Sequence, residues 1–436
     1  MPSAAGGIRE AVRSILTNRM VWIWVGVWLV TRAFIVVDVG FWDHVSHLRL
    51  EDVNDYDTWS HYLTTAHAIP SDETWQYPPG AAFLMLLPRL GLGTYGESFV
   101  ALMLLVDLIG LGLLARLGRQ SSNYTGVWVW LLGMPLLGSL PVLRFDLVPA
   151  VIAIAALVVI HRRPGLFGAL TGLGAAIKAW PVVLLFGEWD RQRLIRAVVA
   201  AIAAVALVFL VTAIAFDDST SFLGEQSDRG LQEEAVATAP WQVRELVTGH
   251  SPDRKIRFGA WEITSQPAST IADVLNWLAI AALGAAAVWW LCRVRAIRNG
   301  RTDLTHSSVS IDFVFTVVLL LIVTSRVLSP QYMIWLLGLV AVVLTAGSAR
   351  LARPAWVVIG ATILSTSAFG SAENTLIRNL ALVAATVDAS IAMTFLLRRP
   401  PIRAEAAAAQ EPSESNVGNE RPSTSMPPES QVLQSK

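Results

Sequence analysis

The chain has 436 residues, 54% of them hydrophobic and only 15% charged, with equal basic and acidic counts and a formal net charge of zero. A soluble protein of this length would carry about 25% charged residues; a soluble fold is therefore excluded, and the neutral balance argues against nucleic acid or another bulk polyanion as partner. The single Cys292 excludes an intramolecular disulfide and a cysteine-based metal site.

In chain order, residues 20–41 (MVWIWVGVWLVTRAFIVVDVGF) come first, and 271–292 is a comparable apolar run. Each approaches or exceeds the ~20 residues needed to cross a bilayer. The first is too long for a cleaved signal peptide and no small-residue cleavage site follows it. Arginine clusters at Arg9/Arg13/Arg19, Arg116/Arg119, Arg162/Arg163, Arg191/Arg193/Arg196, Arg293 to Arg301, Arg350/Arg353 and Arg398/Arg399 mark the cytoplasmic side. With all of them inside, spans are expected near 20–40, 98–118, 126–141, 146–161, 196–216, 271–292, 310–327, 331–347, 354–370 and 376–397, with both termini cytoplasmic.

Residues 79–91 are too short to span, and 165–187 are cut by Pro181, so both read as broken or re-entrant helices, which membranes tolerate only inside a protein cavity. The expected fold is an all-α polytopic membrane protein of about 10–12 transmembrane or re-entrant helices, with helical loops 41–78 and 217–270 outside. Residues 1–19 form a cytoplasmic N-terminus, 20–398 the membrane domain, and 399–436, rich in Pro, Ser, Glu and Gln, a disordered cytoplasmic tail.

The first outside loop holds EDVNDYDTWSHYL (51–63). A helix starting at Asp52 places Asp52, Tyr56, Trp59 and Leu63 on one face. Asp52 and Asp55 fit an N-terminal cap and its reciprocal partner, but Glu51, Asp52, Asp55 and Asp57 together exceed what capping needs. The segment runs into Tyr77-Pro78-Pro79, which forces an extended turn before the membrane is re-entered. His44, His47, His61 and His67 fall in this loop without a tighter ligand signature, so no metal is expected.

Within or near the apolar segments lie Arg32, Asp107 and Lys178, and at an outer boundary Arg144 and Asp146 in LRFDLVPA. Such charges pair with one another or face a cavity, and Arg32 with Asp107 is one such pairing. Lys178 precedes the break at Pro181 and suits either an anion contact or snorkelling to an interface. Arg326 ends one span, and Pro330, Gln331 and an interfacial Tyr332/Trp335 pair open the next. Arg holds phosphate bidentately. Arg229, Glu233 and Glu234 in the second loop are explained equally by a solvated helix. No phosphate-binding Gly-rich loop, zinc-protease helix or serine elbow is present.

In order, EDVNDYDTWSHYL, YPPG, RFD, IKAWP, SDRGLQEE and SPQYMIW resemble the serial motifs of the GT-C membrane glycosyltransferases, and most closely glycosyltransferase family 87, over roughly residues 20–397. The resemblance implies a GT-C-type fold and a site facing the periplasm. It also implies a polyprenyl-phosphate sugar donor, mannose in the mannosyltransferases of this family, with no cofactor. A catalytic aspartate four residues before a Tyr is implied too, which here is Asp52 with Tyr56, while Asp55 and Asp57 keep the base open among three.

Arg326, Arg144, Lys178 and Arg229 are the candidate donor-phosphate contacts, in that order, and Tyr56, Trp59, Tyr77, Asp146, Gln331 and Tyr332 the candidate substrate contacts. One general base suffices, because the phosphate leaves without protonation, and direct attack inverts the anomeric centre. The expected function is sugar transfer to a lipid or cell-envelope glycan acceptor at the plasma membrane. An arabinofuranosyl donor is the alternative within the class; a lipid or sugar transporter or flippase, and a membrane scaffold, are the alternatives outside it.

Overall fold

In the computed structural model, described for residues 19–46, 51–71, 75–223, 229–367 and 371–398, apolar sequence becomes helix wherever proline permits. The helices are α1 (Arg19–Ser46), α2 (Glu51–Thr65), α3 (Ala81–Leu86), α4 (Tyr95–Ser121), α5 (Thr125–Gly133), α6 (Leu140–Leu143), α7 (Leu147–Val159), α8 (Pro164–Ile177), α9 (Arg191–Ala215), α10 (Ala239–Thr248), α11 (Gln266–Arg298), α12 (Ser307–Val323), α13 (Tyr332–Ala346), α14 (Ala352–Ser367) and α15 (Ala372–Arg398). Among the described residues, five are long and apolar enough to cross a membrane, namely α1, α4, α9, α11 and α15, and six shorter apolar helical stretches accompany them. The chain is a mostly helical, multi-pass membrane protein. The tail 399–436, the first 18 residues, His47 and the side chain of His44 lie outside the described residues.

Helices α12 and α13 are buried along almost their whole length and form the centre. The outer helices keep apolar side chains exposed, with Val30 at 72%, Ile214 at 78% and Trp277 at 71%, a surface suited to lipid. Local signals set the ends. Thr94 and Glu97 form a reciprocal capping box at the start of α4, and the Asp190 side chain accepts from the Arg193 amide at the start of α9.

Proline sets the breaks. Residues 126–141, expected as one span, are instead interrupted: α5 stops at Gly133, a tight turn spans Met134–Leu137 with a proline at its start, and α6 follows. Proline has no amide proton and clashes with the preceding turn. The break expected before Pro181 is present, with α8 ending at Ile177, Lys178 in extended conformation and a 3-10 segment over Trp180–Gly187. Residues 79–91 form only α3 and a short 3-10 turn, Leu87–Leu90.

Arg32 and Asp107 do pair. The guanidinium is 2.8 Å from each carboxylate oxygen and also donates to the carbonyls of Leu131 at 2.9 Å and Trp130 at 3.3 Å. Both side chains are 3% exposed, and the Trp28 indole also donates to Asp107. This network joins α1, α4 and α5.

A motif not singled out in the sequence joins α8 to α9. Gly168 and Gly172, the ends of GALTG, lie against Ala197 and Ala201, and a Cβ on them would fall 2.0 and 2.3 Å from those residues' carbonyl oxygens. Small residues four apart let helix backbones touch where no hydrophobic effect drives them together. Gly172→Val is therefore expected to destabilise the protein by roughly 1–3 kcal/mol, read as a lower Tm in detergent. The exposed Gly112→Val, with nothing within 4 Å of its Cβ position, is the control, and equal melting of the two variants contradicts the packing.

The segment expected as the second outside loop is not a solvated helix where Arg229, Glu233 and Glu234 stand. It carries a three-stranded antiparallel sheet, β1 (Leu231–Gln232), β2 (Arg254–Arg257) and β3 (Ala260–Ile263), in the order β1-β3-β2. The β1 segment is clamped on both sides. The Gln232 amide donates to the Arg326 carbonyl at 3.0 Å and its side chain to Ser329 Oγ at 2.9 Å. Arg378 and Asn379 of α15 donate to the Glu234 carbonyl at 2.6 and 3.3 Å.

Candidate active site

The breaks and the sheet surround one cavity of about 770 Å³, within the range of roughly 300–1,000 Å³ usual for small-molecule sites. One part of its wall is charged, with Asp52, Asp55, Arg144, Lys178, Arg229, Arg257 and Arg326. Another part is hydrocarbon, from Leu275 and Ala279 of α11, Val318, Leu321 and Ile322 of α12, and Val183.

Helix α2 brings in the first acids. Tyr56, Trp59 and Leu63 are buried at 1%, 9% and 0%, so the apolar face holds as expected and anchors the helix, leaving Asp52 at the cavity. Because α2 begins at Glu51, Asp52 lies in its first turn and not ahead of it; its carboxylate pairs with Arg144 Nη1. Asp55 also lines the cavity, whereas Asp57 is not among the lining residues and pairs with Arg89 at 3.0 Å. Tyr56 packs on Phe99 and Phe145, with centroids at 5.3 and 5.6 Å, and its hydroxyl has no hydrogen-bond partner among the described residues. Burial is the main cause pushing the Tyr56 and Tyr77 phenols well above their usual value, and the charge of Asp52 adds to it while Arg144 opposes it. Both phenols stay protonated, so neither is available as a base.

The RFD loop between α6 and α7 supplies the next pair. Asp146 occupies the position that would cap α7 but makes no capping bond. Its Oδ1 instead accepts from Lys178 Nζ at 2.6 Å and from the Trp335 indole at 2.9 Å. Lys178 reaches it from the α8 break through a cage of aromatic rings, Tyr77 at 5.5, Phe145 at 5.3, Tyr332 at 5.4 and Trp335 at 5.0 Å. Lys178 therefore does not snorkel. Trp335, read from sequence as an interfacial anchor, is 5% exposed. It stacks between Tyr332 at 3.9 Å and Trp180 at 5.3 Å, and all three line the cavity. The Trp180 indole nitrogen is buried without a partner among the described residues.

Of the residues expected at the site, Asp52, Asp55, Trp59, Tyr77, Arg144, Lys178, Arg229, Arg326, Gln331 and Tyr332 line this one cavity. Tyr56 and Asp146 lie directly behind it, in contact with Phe145 and Lys178. Gln76, Trp180, Arg257 and Phe258 are among the lining residues that were not anticipated. Arg257 and Phe258 come from the hairpin that the sequence left as a helical loop. Trp180 carried a signal, an aromatic beside the Lys178 break.

Glu234, on the clamped segment beside β1, carries a pH dependence. Burial raises its carboxyl from the usual 4.5 to about 7, against the opposing charge of Arg378 and Arg144 and with Glu233 adding to the rise. Between those values the folded protein holds a proton the unfolded chain has released, so stability falls as pH rises through the window. Glu234→Gln is expected to melt close to wild type at pH 4.5 and above it at pH 8. An equal Tm difference at both pH values would show that this carboxyl is not held protonated.

The glycosyltransferase family 87 model matches residues 75–321, a segment holding Arg144, Asp146, Lys178, Arg229 and the α11 wall and starting after Asp52. No curated protein matches the chain. Among solved structures it is similar to ArnT from Cupriavidus metallidurans bound to undecaprenyl phosphate, with 14% identity, a TM-score of 0.43, and coverage of 91% of this chain and 79% of that one. The family match takes in more than half of the sequence, and the chain belongs to glycosyltransferase family 87.

Proposed function

We propose that this family 87 enzyme transfers a sugar, mannose in the first place, from a polyprenyl-phosphate donor to a hydroxyl of a lipid or cell-envelope glycan. The observation that carries the reading is the cavity's two-part wall, charged around Asp52 and Arg144 and hydrocarbon along α11 and α12. A sugar phosphate on an isoprenoid chain has the same two parts. The Trp180–Trp335–Tyr332 stack suits the sugar's apolar face or the first isoprene units.

In this mechanism Asp52 takes the acceptor hydroxyl proton as the oxygen attacks the anomeric carbon. The bond from that carbon to the phosphate oxygen breaks, and polyprenyl phosphate leaves carrying the electron pair, with no proton needed. Arg144 holds Asp52 in place. Since Arg144 and Lys178 are already paired with carboxylates, the donor phosphate is assigned first to Arg229, whose Nε has no partner among the described residues, together with Arg326. Charge buildup on the leaving phosphate is what these cations stabilise. A β-linked donor gives an α-linked product.

The extracytoplasmic orientation has its own support. The cavity is lined by the early part of α11 and the late part of α12, while Arg293, Arg295 and Arg298 stand at the far end of α11. Cationic ends stay in the cytoplasm.

Purified protein in proteoliposomes, given radiolabelled polyprenyl-phosphate mannose or arabinofuranose with extracted envelope lipids, tests the reading. Labelled glycolipid from the mannosyl donor is expected. Transfer from the arabinofuranosyl donor alone replaces the sugar, and lipid scrambling without transfer from either donor overturns the proposal.

A further inference from the structure

We infer that the strained turn Phe258-Gly259 is a built part of the anion site, and that Phe258 is a positioning residue holding two guanidiniums, Arg229 and Arg257, toward a phosphate. The inference rests on the lipid-phosphate donor reading and adds to it a second arginine and the device that aims both.

Four observations converge on this turn. Arg257 and Ala260 are paired across β2 and β3, so Phe258 and Gly259 are the two-residue loop of the hairpin, with φ of +52° and +67°. Positive φ at both central positions is the type I′ pattern, which favours Asn, Asp or Gly at the first. Phenylalanine there is an outlier, and such strain persists where surroundings over-determine it and collects at ligand clamps.

The surroundings do over-determine it. The Phe258 carbonyl accepts from Gln76 Nε2 at 2.8 Å and from Arg229 Nη2 at 3.4 Å. The residue is 5% exposed, and two guanidiniums lie over its ring, Arg229 at 5.5 Å and Arg257 at 4.9 Å from the centroid. Both arginines and the turn line the cavity, and Arg257, 44% exposed, also stands 4.0 Å from Glu262 Oε2, a far looser pairing than the 2.6 Å that engages Lys178. Arg229 Nε, buried and without a partner among the described residues, is the donor left for a ligand. A hairpin turn alone would not require this ring; a shelf for two cations does, because the negative face of an aromatic ring attracts them.

The chemistry recognised is a phosphate monoester or diester oxygen, bound by a guanidinium fork. Three variants test it by steady-state kinetics with the polyprenyl-phosphate donor and by Tm. Phe258→Asn suits the turn and removes the ring; its donor KM is expected to rise about tenfold or more, with a smaller effect on kcat, and Tm checks that each variant remains folded. Phe258→Tyr, which keeps the ring, restores KM. Arg229→Gln raises KM like Phe258→Asn. An unchanged KM in Phe258→Asn, with KM raised in Arg229→Gln, overturns the shelf and leaves the donor reading standing. An unchanged KM in Arg229→Gln overturns the placement of the donor phosphate itself.

Discussion

Replacing Asp52 by Asn is expected to lower kcat for sugar transfer by about 10²–10⁴-fold, the usual contribution of a positioned general base, with little change in donor KM. Asn matches Asp in shape, and its amide oxygen still accepts from Arg144, so the loss is of proton acceptance and not of fold. The geometry separates the three first-loop acids. Asp52 and Asp55 line the cavity, Asp57 is engaged by Arg89, and Asp52 pairs with Arg144. Initial rates at saturating acceptor across a donor series measure both constants. Near-normal turnover in Asp52→Asn, with a collapse in Asp55→Asn, would move the base by one helical turn.

The largest stability effect is expected within the membrane domain. Asp107→Ala strands the Arg32 guanidinium, 3% exposed, beside two backbone carbonyls that only partly compensate it. Removing one partner of a buried pair costs about 3–5 kcal/mol, whereas replacing both with apolar residues is often neutral. Asp107→Ala should therefore lower Tm sharply and reduce the yield of folded protein. The double variant Arg32→Met/Asp107→Leu should recover most of the loss. Wild-type melting of Asp107→Ala would show that the pair contributes nothing to holding α1, α4 and α5 together.

The membrane architecture was legible because its cause is local. Apolar runs of sufficient length have one outcome in lipid, and a proline in such a run marks its break, as at Lys178-Ala179-Trp180-Pro181. The Arg32–Asp107 pairing was legible for a related reason, since a charge in an apolar span needs a partner and few are on offer. Within the first loop, spacing already holds some of the answer. Five residues along a helix turn a side chain by about 140°, so Asp57 was bound to point away from the face that carries Asp52.

What stayed hidden depended on contacts between distant segments. Nothing in DRKIRFGAWEI (253–263) alternates cleanly between apolar and polar, because β2 is exposed along its whole length and only the end of β3 is buried. Arg257 and Phe258 were missed for that reason. Trp335 read as an interfacial anchor because its role needs Asp146, far back in the chain, as the acceptor of its indole proton. GALTG passed unnoticed because a small-residue stripe means something only when another helix lies on it, as α9 does here.

The anomeric configuration of the product tests the central claim most directly, that a lone Asp52 base drives a single displacement from a lipid phosphate. A β-linked polyprenyl-phosphate mannose, turned over by the purified enzyme, should yield an α-linked glycolipid by NMR of the anomeric proton and carbon. A β-linked product would require two displacements and a carboxylate nucleophile, and would contradict the mechanism.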